Sequence, residues 1–313
     1  MSRCLYCYQT LENKAEDFHV SCSKKIFGHT SPPALLYSEQ DLESLAREVI
    51  QSQTAVTGVQ AKLSLHITGT RNDYEGRRFT IVGLWGGYIL KPPAATYPQL
   101  PEVEDLTMHL AQLSKIRTAP HSLIRLASGN LAYITKRVDR TKNGKLAMED
   151  MCQLTERLTE DKYHGSYEQI AKAILKYSSI PGLDVVNFFE LVLFSFLTGN
   201  ADMHLKNFSL LEQPGLGMAL SPAYDLVNTA LINPSDEEEL AVNLNGKKKK
   251  IKRQDFIASM NTLKLEEKQQ QNIFNKIVKG MPQWLAFIDN SFLGKDLKEG
   301  YKQIVTERFE RLK

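Results

Sequence analysis

Gly199-Asn200-Ala201-Asp202-Met203-His204-Leu205-Lys206-Asn207-Phe208 is the stretch on which the reading of this chain turns. Asp202 and Asn207 stand five positions apart in it. Phosphoryl transfer uses a carboxylate to orient and deprotonate the incoming hydroxyl, and a nearby amide oxygen to hold magnesium on the phosphates, so the pair suits those two roles. A second magnesium ligand is expected a short strand or loop later, and Tyr224-Asp225-Leu226-Val227 offers Asp225. His204 and Lys206 follow Asp202 by two and four positions, where either can touch a transferred phosphate. For His204, a buried ring that holds the loop in shape is the equal alternative.

Working outward, residues 185–197 are apolar nearly all round, interrupted only by Asn187 and Glu190. In a soluble protein that pattern means a helix at the centre of its lobe, so the loop that follows is rigidly held. Helical periodicity also runs through 167–176, 265–278 and 297–312. Upstream the period changes. Ser38-Glu39-Gln40-Asp41 resembles a capping box with Asp in the acidic place, ahead of the stripe Leu42, Leu45, Ala46, Val49 and Ile50. Leu63, Leu65 and Ile67 then alternate with polar residues, and 79–82, 88–90, 122–126 and 130–137 read as strands around a helix at 103–114. The expectation is an α+β chain of two lobes: a mixed N-lobe over 31–150, which would bind nucleotide, and a mostly helical C-lobe over 151–313, preceded by a Cys-rich segment over 1–30.

Composition adds exclusions. Hydrophobic residues at 42% and charged residues at 24% are ordinary globular values. A net charge of +3 is too small to indicate nucleic-acid binding. No run approaches the roughly 18 apolar residues of a membrane span, and residues 1–11 lack the apolar region of a signal peptide, so a cytoplasmic protein is expected. The acidic run at 236–239 and the basic run from Lys247 to Arg253 read as a solvated face, with contact to RNA or an acidic partner as the alternative. Cys152 reads as a small buried residue.

Three of the four cysteines crowd the beginning of the chain. Cys4 and Cys7 are separated by two residues, as are His19 and Cys22, and such short chelating pairs are zinc-ligand spacing for a closed Cys3His site. Reduced thiols beside a surface histidine are the alternative.

The loop at 199–207 resembles the catalytic loop of the HipA family of bacterial serine/threonine kinases, including the shorter HipT type, which reads Gly-Asn-x-Asp-x-His-x-Lys-Asn. Thr57-Gly58-Val59-Gln60-Ala61-Lys62 is similar to the family's phosphate-binding segment, and Tyr88-Ile89-Leu90-Lys91-Pro92 to its nucleotide-lysine strand. Glu102-Val103-Glu104 is similar to the start of the helix whose Glu pairs with that lysine; Glu104 is the favoured partner and Glu102 the substitute. Residues 132–140 and Glu149-Asp150-Met151-Cys152-Gln153 resemble the strand and hinge that reach adenine. In order, these segments cover roughly residues 54–228.

The resemblance implies a two-lobed protein-kinase-like fold with ATP between the lobes. Gly58, Gln60, Lys62, Lys91, Glu104, Glu149 and Met151 would serve the nucleotide, Asn207 and Asp225 would hold Mg2+, and Asp202, His204 and Lys206 would sit at the transfer step. Lys91 read alone is also a lysine snorkelling off a strand end, and Glu104 an acid that complements its helix dipole. The family autophosphorylates at Ser just before the glycine; here Ala55, Val56 and Thr57 stand there, so Thr57 is the candidate acceptor, with Thr54 second. The implied function is a toxin–antitoxin kinase that phosphorylates a cytosolic protein, such as an aminoacyl-tRNA synthetase, and arrests growth. Its implied partners are a helix-turn-helix antitoxin and a small separate protein replacing an N-terminal subdomain of about a hundred residues. Nucleic acid would be reached only through the antitoxin, and no membrane contact is expected. A lipid kinase of the phosphoinositide-kinase kind and a non-catalytic antitoxin-binding scaffold are the other readings.

Overall fold

The computed structural model describes residues 2–13, 15–52, 62–70, 76–82 and 85–313, with the side chains of 46–52 excepted. The chain divides into two compact units, one formed by Met1–Asp105 with Ala119–Arg137, the other by Leu106–Thr118 with Val138–Lys313.

The first unit opens with α1 (Val20–Phe27) and α2 (Glu39–Ser52). The expected Asp-type capping box starts α2: Ser38 N–H donates to Asp41 Oδ2 (2.8 Å) and Asp41 N–H to Ser38 Oγ (3.3 Å). Then come β1 (Leu63–Thr68), β2 (Arg78–Ile81), β3 (Tyr88–Lys91), α3 (Leu100–Leu113), β4 (His121–Arg125) and β5 (Leu131–Lys136). Residues 100–105 of α3 belong to this unit and the remainder to the second. The strands form one antiparallel sheet in the order β2-β1-β3-β5-β4. Alternation sets its inner face: Leu63, Leu65, Leu90 and Ile134 are buried, and the register seats Leu63 opposite Leu90 and Lys91 opposite Tyr133. Central β3 is paired on both sides, which gives Lys91 a rigid base. The Cys-rich opening is built into this unit. Phe27 packs edge-on to Phe18 and Phe79, and the Tyr88 hydroxyl donates to Ile26 O (3.1 Å).

The second unit holds the small hairpin β6 (Arg140–Thr141) and β7 (Gly144–Lys145), then β8 (Met148–Asp150), α4 (Met151–Leu154), α5 (Tyr167–Tyr177), α6 (Pro181–Leu197), β9 (Ser209–Gln213), β10 (Gly217–Leu220), α7 (Thr229–Ile232), α8 (Arg253–Thr262), α9 (Glu267–Asp289) and α10 (Lys295–Glu310). Helix α6 starts on Pro181, whose fixed φ suits a first helical position, and it is buried from Phe188 through Leu197. Two differences from the sequence reading stand out. Helix α9 runs on past residue 278 and through Pro282, because buried Trp284 and Ile288 continue its apolar stripe. Trp284 sets its ring edge-on to Phe194 and its indole N–H on Ser114 Oγ (2.9 Å), which outweighs the lost backbone bond. The lobe also carries an antiparallel sheet, β10-β9-β8, around the loop of interest. The charged runs partner each other: Lys248 meets Glu238 (3.3 Å), Lys249 meets Glu237 (3.0 Å) and Lys247 meets buried Asp255 (2.7 Å).

Candidate active site

The loop after α6 is fixed at its root. Arg308, almost fully buried, donates to Phe196 O (2.6 Å), so a cation satisfies a helix C-terminal carbonyl. Gly199 then turns the chain at φ +75°. Its carbonyl accepts from Ala230 N–H (3.0 Å) and Thr229 Oγ1 (3.1 Å), and Ala201 N–H donates back to Thr229 Oγ1 (2.8 Å). The beginning of the loop is thus stapled to the residues just beyond Asp225.

Asp202 and Asn207 are brought together within the loop. The Asn207 Nδ2–H donates to the Asp202 main-chain oxygen (2.9 Å), so Asn207 braces the turn with its N–H and not with its Oδ1. Met203, Leu205 and Phe208 are buried anchors, and Tyr167 Oη donates to Met203 O (3.1 Å). The Asp202 carboxylate is half exposed, at 49%. It accepts a 2.6 Å hydrogen bond on Oδ1 from the hydroxyl of Tyr163, a residue that no spacing in the sequence marks out. His204 lies buried, with its Nε2 4.0 Å from the same oxygen and its ring edge-on to Tyr163. Burial pulls the His204 pKa below the ordinary histidine value against the attraction of Asp202, so the ring is neutral near pH 7. Lys206 sets its ammonium on Asp150 Oδ2 (2.6 Å), and Asp150 also caps α4 in a reciprocal box with Gln153.

Asp225 has φ 59°, a left-handed conformation that costs a non-glycine residue roughly 1–2 kcal/mol and that clusters at functional sites. Its neighbour Tyr224 ties the segment down: its hydroxyl donates to Lys206 O (3.0 Å) and lies 2.5 Å from Ser209 Oγ. Burial first, then the hydrogen bond and charge of Asp202, raise the Tyr163 pKa, with Asp225 a smaller contributor. An amide oxygen and a carboxylate are hard donors of the kind magnesium takes, so the residues fit that ion.

In the first unit, the Lys91 ammonium forms an ion pair with Glu104, both side chains almost fully buried, and stands 5.4 Å from the Tyr133 ring centroid. Glu104 and not Glu102 is therefore the partner. Burial pushes the Glu102 carboxyl up to about 7. Lys62 is exposed beside β1. Gly58, Gln60 and the acceptor candidates Thr54 and Thr57 lie outside the described residues. In the second unit Glu149 is exposed on β8, whereas Met151 is buried with its N–H on Phe208 O (3.0 Å). Cys4, Cys7, His19 and Cys22 converge, their ligand atoms all within 4.8 Å of one another. Among the described residues no helix is long and apolar enough to cross a membrane.

The chain is 34% identical over 209 residues to "Putative kinase Y4dM" of Sinorhizobium fredii, matching 62% of this chain and 49% of that protein. It is 29% identical over 229 residues to "Putative kinase" of Haemophilus influenzae, matching 69% and 63%. It thus spans less than two thirds of the length of these curated relatives. Among solved structures, the complex of HipA, HipB and operator DNA from Shewanella oneidensis MR-1 aligns at TM-score 0.68 and 23% identity, covering 90% of this chain and 74% of that one. The Helicobacter pylori proinflammatory kinase CtkA aligns at 0.52 and 17%, covering 72% and 87%. At these identities the likeness is one of fold, and the fold is an α+β protein-kinase-like one. The model of the HipA-like C-terminal domain matches residues 54–285, most of the chain, and the protein belongs to that family.

Proposed function

We propose that this protein is a kinase that moves the γ-phosphoryl group of ATP to a serine or threonine hydroxyl of a protein. The observation that carries the reading is the braced turn in which Asn207 Nδ2–H holds the Asp202 carbonyl while the Asp202 carboxylate faces solvent. In the transfer, Asp202 orients the acceptor hydroxyl and takes its proton as the new O–P bond forms and the bond to the β-phosphate oxygen breaks, releasing ADP. Asn207 Oδ1 and the Asp225 carboxylate would hold Mg2+, which supplies neutralisation of phosphate charge. Lys91, kept in place by Glu104, is suited to the α- and β-phosphates. His204 keeps the loop in shape. Lys206, held on Asp150, fixes the far end of the loop.

The finer reading rests on the family resemblance and on what the Shewanella complex contains. In it the chain is a growth-arresting toxin of the HipT type that phosphorylates a cytosolic protein such as an aminoacyl-tRNA synthetase. It works with a DNA-binding antitoxin and a small separate protein, and Thr57 is its self-modification site.

Radiolabelled ATP, Mg2+, cytosolic extract and, in parallel, phosphoinositide vesicles test the proposal. Label should appear on protein and fall by about 10²–10⁴-fold in Asp202→Ala, the range general-base loss produces. Label on lipid alone, or nucleotide binding without transfer, would replace the proposal by a lipid-kinase or scaffold reading. Phosphoproteomics after expression of the wild type beside Asp202→Ala would name the target.

A further inference from the structure

The cysteine cluster has no part in phosphoryl transfer, yet its geometry is that of a built site. Cys7 Sγ lies 3.4 Å and Cys22 Sγ 3.8 Å from His19 Nδ1. Tetrahedral zinc with ordinary bond lengths would set S···N at about 3.5 Å and S···S at about 3.8 Å. All three thiols are unpaired, and Cys4 and Cys22 are buried. The histidine is turned for ligation. Its Nε2 lies 3.1 Å from Thr10 O, a group that only accepts, so Nε2 carries the proton and Nδ1 presents its lone pair to the thiols.

A second relationship gives the cluster reach. Tyr8, one residue past Cys7, is held at φ 64°, with its N–H on Cys4 O (2.9 Å). From that turn its buried hydroxyl donates to Asp105 Oδ2 (2.8 Å), and Asp105 Oδ1 meets His121 Nδ1 (2.7 Å). Asp105 is the residue after Glu104, and both are fully buried at the start of α3. The cysteine turn is therefore one hydrogen bond away from the residue beside the Lys91 partner.

We propose that Cys4, Cys7 and Cys22 through Sγ and His19 through Nδ1 hold a single Zn2+, and that this ion keeps Tyr8 in the turn that anchors Asp105 and the first turn of α3. Three thiolates and an imidazole in a closed site select zinc over the hard cations. The ion would cross-link the Cys4–Cys7 turn to the start of α1, so its loss relaxes the turn that carries Tyr8 and deprives buried Asp105 of a donor. Zinc thus sets the order of the helix that carries Glu104. That this helix serves a nucleotide rests on the kinase reading above; the metal and its grip on α3 do not.

The test uses the full chain. Metal analysis of purified protein should find about one zinc per chain, with little or none in Cys7→Ser or His19→Gln. Stripped wild-type protein reloaded with Co2+ should show a thiolate-to-metal charge-transfer band. In hydrogen exchange, removing the metal should speed exchange of residues 100–105 at least about tenfold, the size of a lost anchoring hydrogen bond. Tyr8→Phe should keep the zinc and show the same faster exchange. Wild-type protein that neither contains zinc nor takes up Co2+ overturns the site. Zinc-bound Tyr8→Phe with exchange at 100–105 equal to wild type overturns the coupling. ATP binding, measured separately on zinc-loaded protein, bears only on the kinase reading: its absence counts against that reading and leaves the metal result standing.

Discussion

The hydroxyl of Tyr163 donates to Asp202 Oδ1 at 2.6 Å. On the kinase reading proposed above, the phenol competes with the acceptor hydroxyl for the carboxylate. A hydrogen bond to a charged group contributes about 1.5–3 kcal/mol, but this one is partly solvated, which argues for the lower end. Tyr163→Phe is accordingly expected to raise label transfer to subsaturating protein acceptor by about tenfold, with little change at saturation. Initial rates against acceptor concentration check this. A rate below wild type at all concentrations would mean that the phenol positions the carboxylate.

Lys91 and Glu104 form an ion pair with almost no exposure. Breaking a buried ion pair by removing one member is strongly destabilising, so Lys91→Met should lower unfolding free energy by about 3–5 kcal/mol in denaturant titration. Lys91→Met combined with Glu104→Leu should recover most of that loss, since apolar replacement of both partners is often neutral. Nucleotide binding should stay lost in both variants, and its return in the double variant would remove Lys91 from the nucleotide site.

Glu102 supplies a pH dependence. Burial first, with the neighbouring Asp105 charge adding to it, lifts its pKa from 4.5 to about 7. The folded chain therefore holds a proton that the unfolded chain has released, and folding stability falls as pH rises from about 4.5 to 7, with the full cost present above 7. Glu102→Gln removes the titration. It should match wild type near pH 4.5 and exceed it by about 3 kcal/mol at pH 8, as read from urea midpoints at the two pH values. A wild type as stable as the variant at pH 8 would show that the carboxyl is solvated.

Gly199 has φ +75°, and a Cβ there would come within 2.3 Å of Asn228 Oδ1. That oxygen caps α7 through Leu231 N–H (2.9 Å). Gly199→Ala combines left-handed strain of roughly 1–2 kcal/mol with loss of a cap worth about 1, so a destabilisation of about 2–3 kcal/mol is expected. Transfer should fall more than stability accounts for, because the substitution also displaces the staple that places Asp202 beside the Asp225 segment. Denaturation together with transfer at a temperature where the variant is folded separates the two.

Much of this molecule is local, and local features are legible in one dimension. The all-apolar run at 185–197 reads as a buried helix because no solvent-facing stripe interrupts it. The five-residue step from Asp202 to Asn207 and the spacings within the pairs Cys4–Cys7 and His19–Cys22 fall within single turns or short loops, so chain connectivity brings the members of each near one another, while folding brings the two cysteine pairs together. Charge pairing across sequence is different. Glu102 and Glu104 are both acids near the start of one helix, and only the tertiary fold selects Glu104 for Lys91. Lys206 looks the same in sequence whether it faces a phosphate or Asp150, 56 positions away. Tyr163 carries no signal at all, since its partner lies 39 positions away along the chain. The continuation of α9 through Pro282 likewise depends on Trp284 meeting Phe194. Sequence determined the elements and the short chelating sets, because backbone periodicity and close spacing act over one or two turns. Tertiary structure decided which long side chains meet, because that choice depends on the burial and register of segments far apart in the chain.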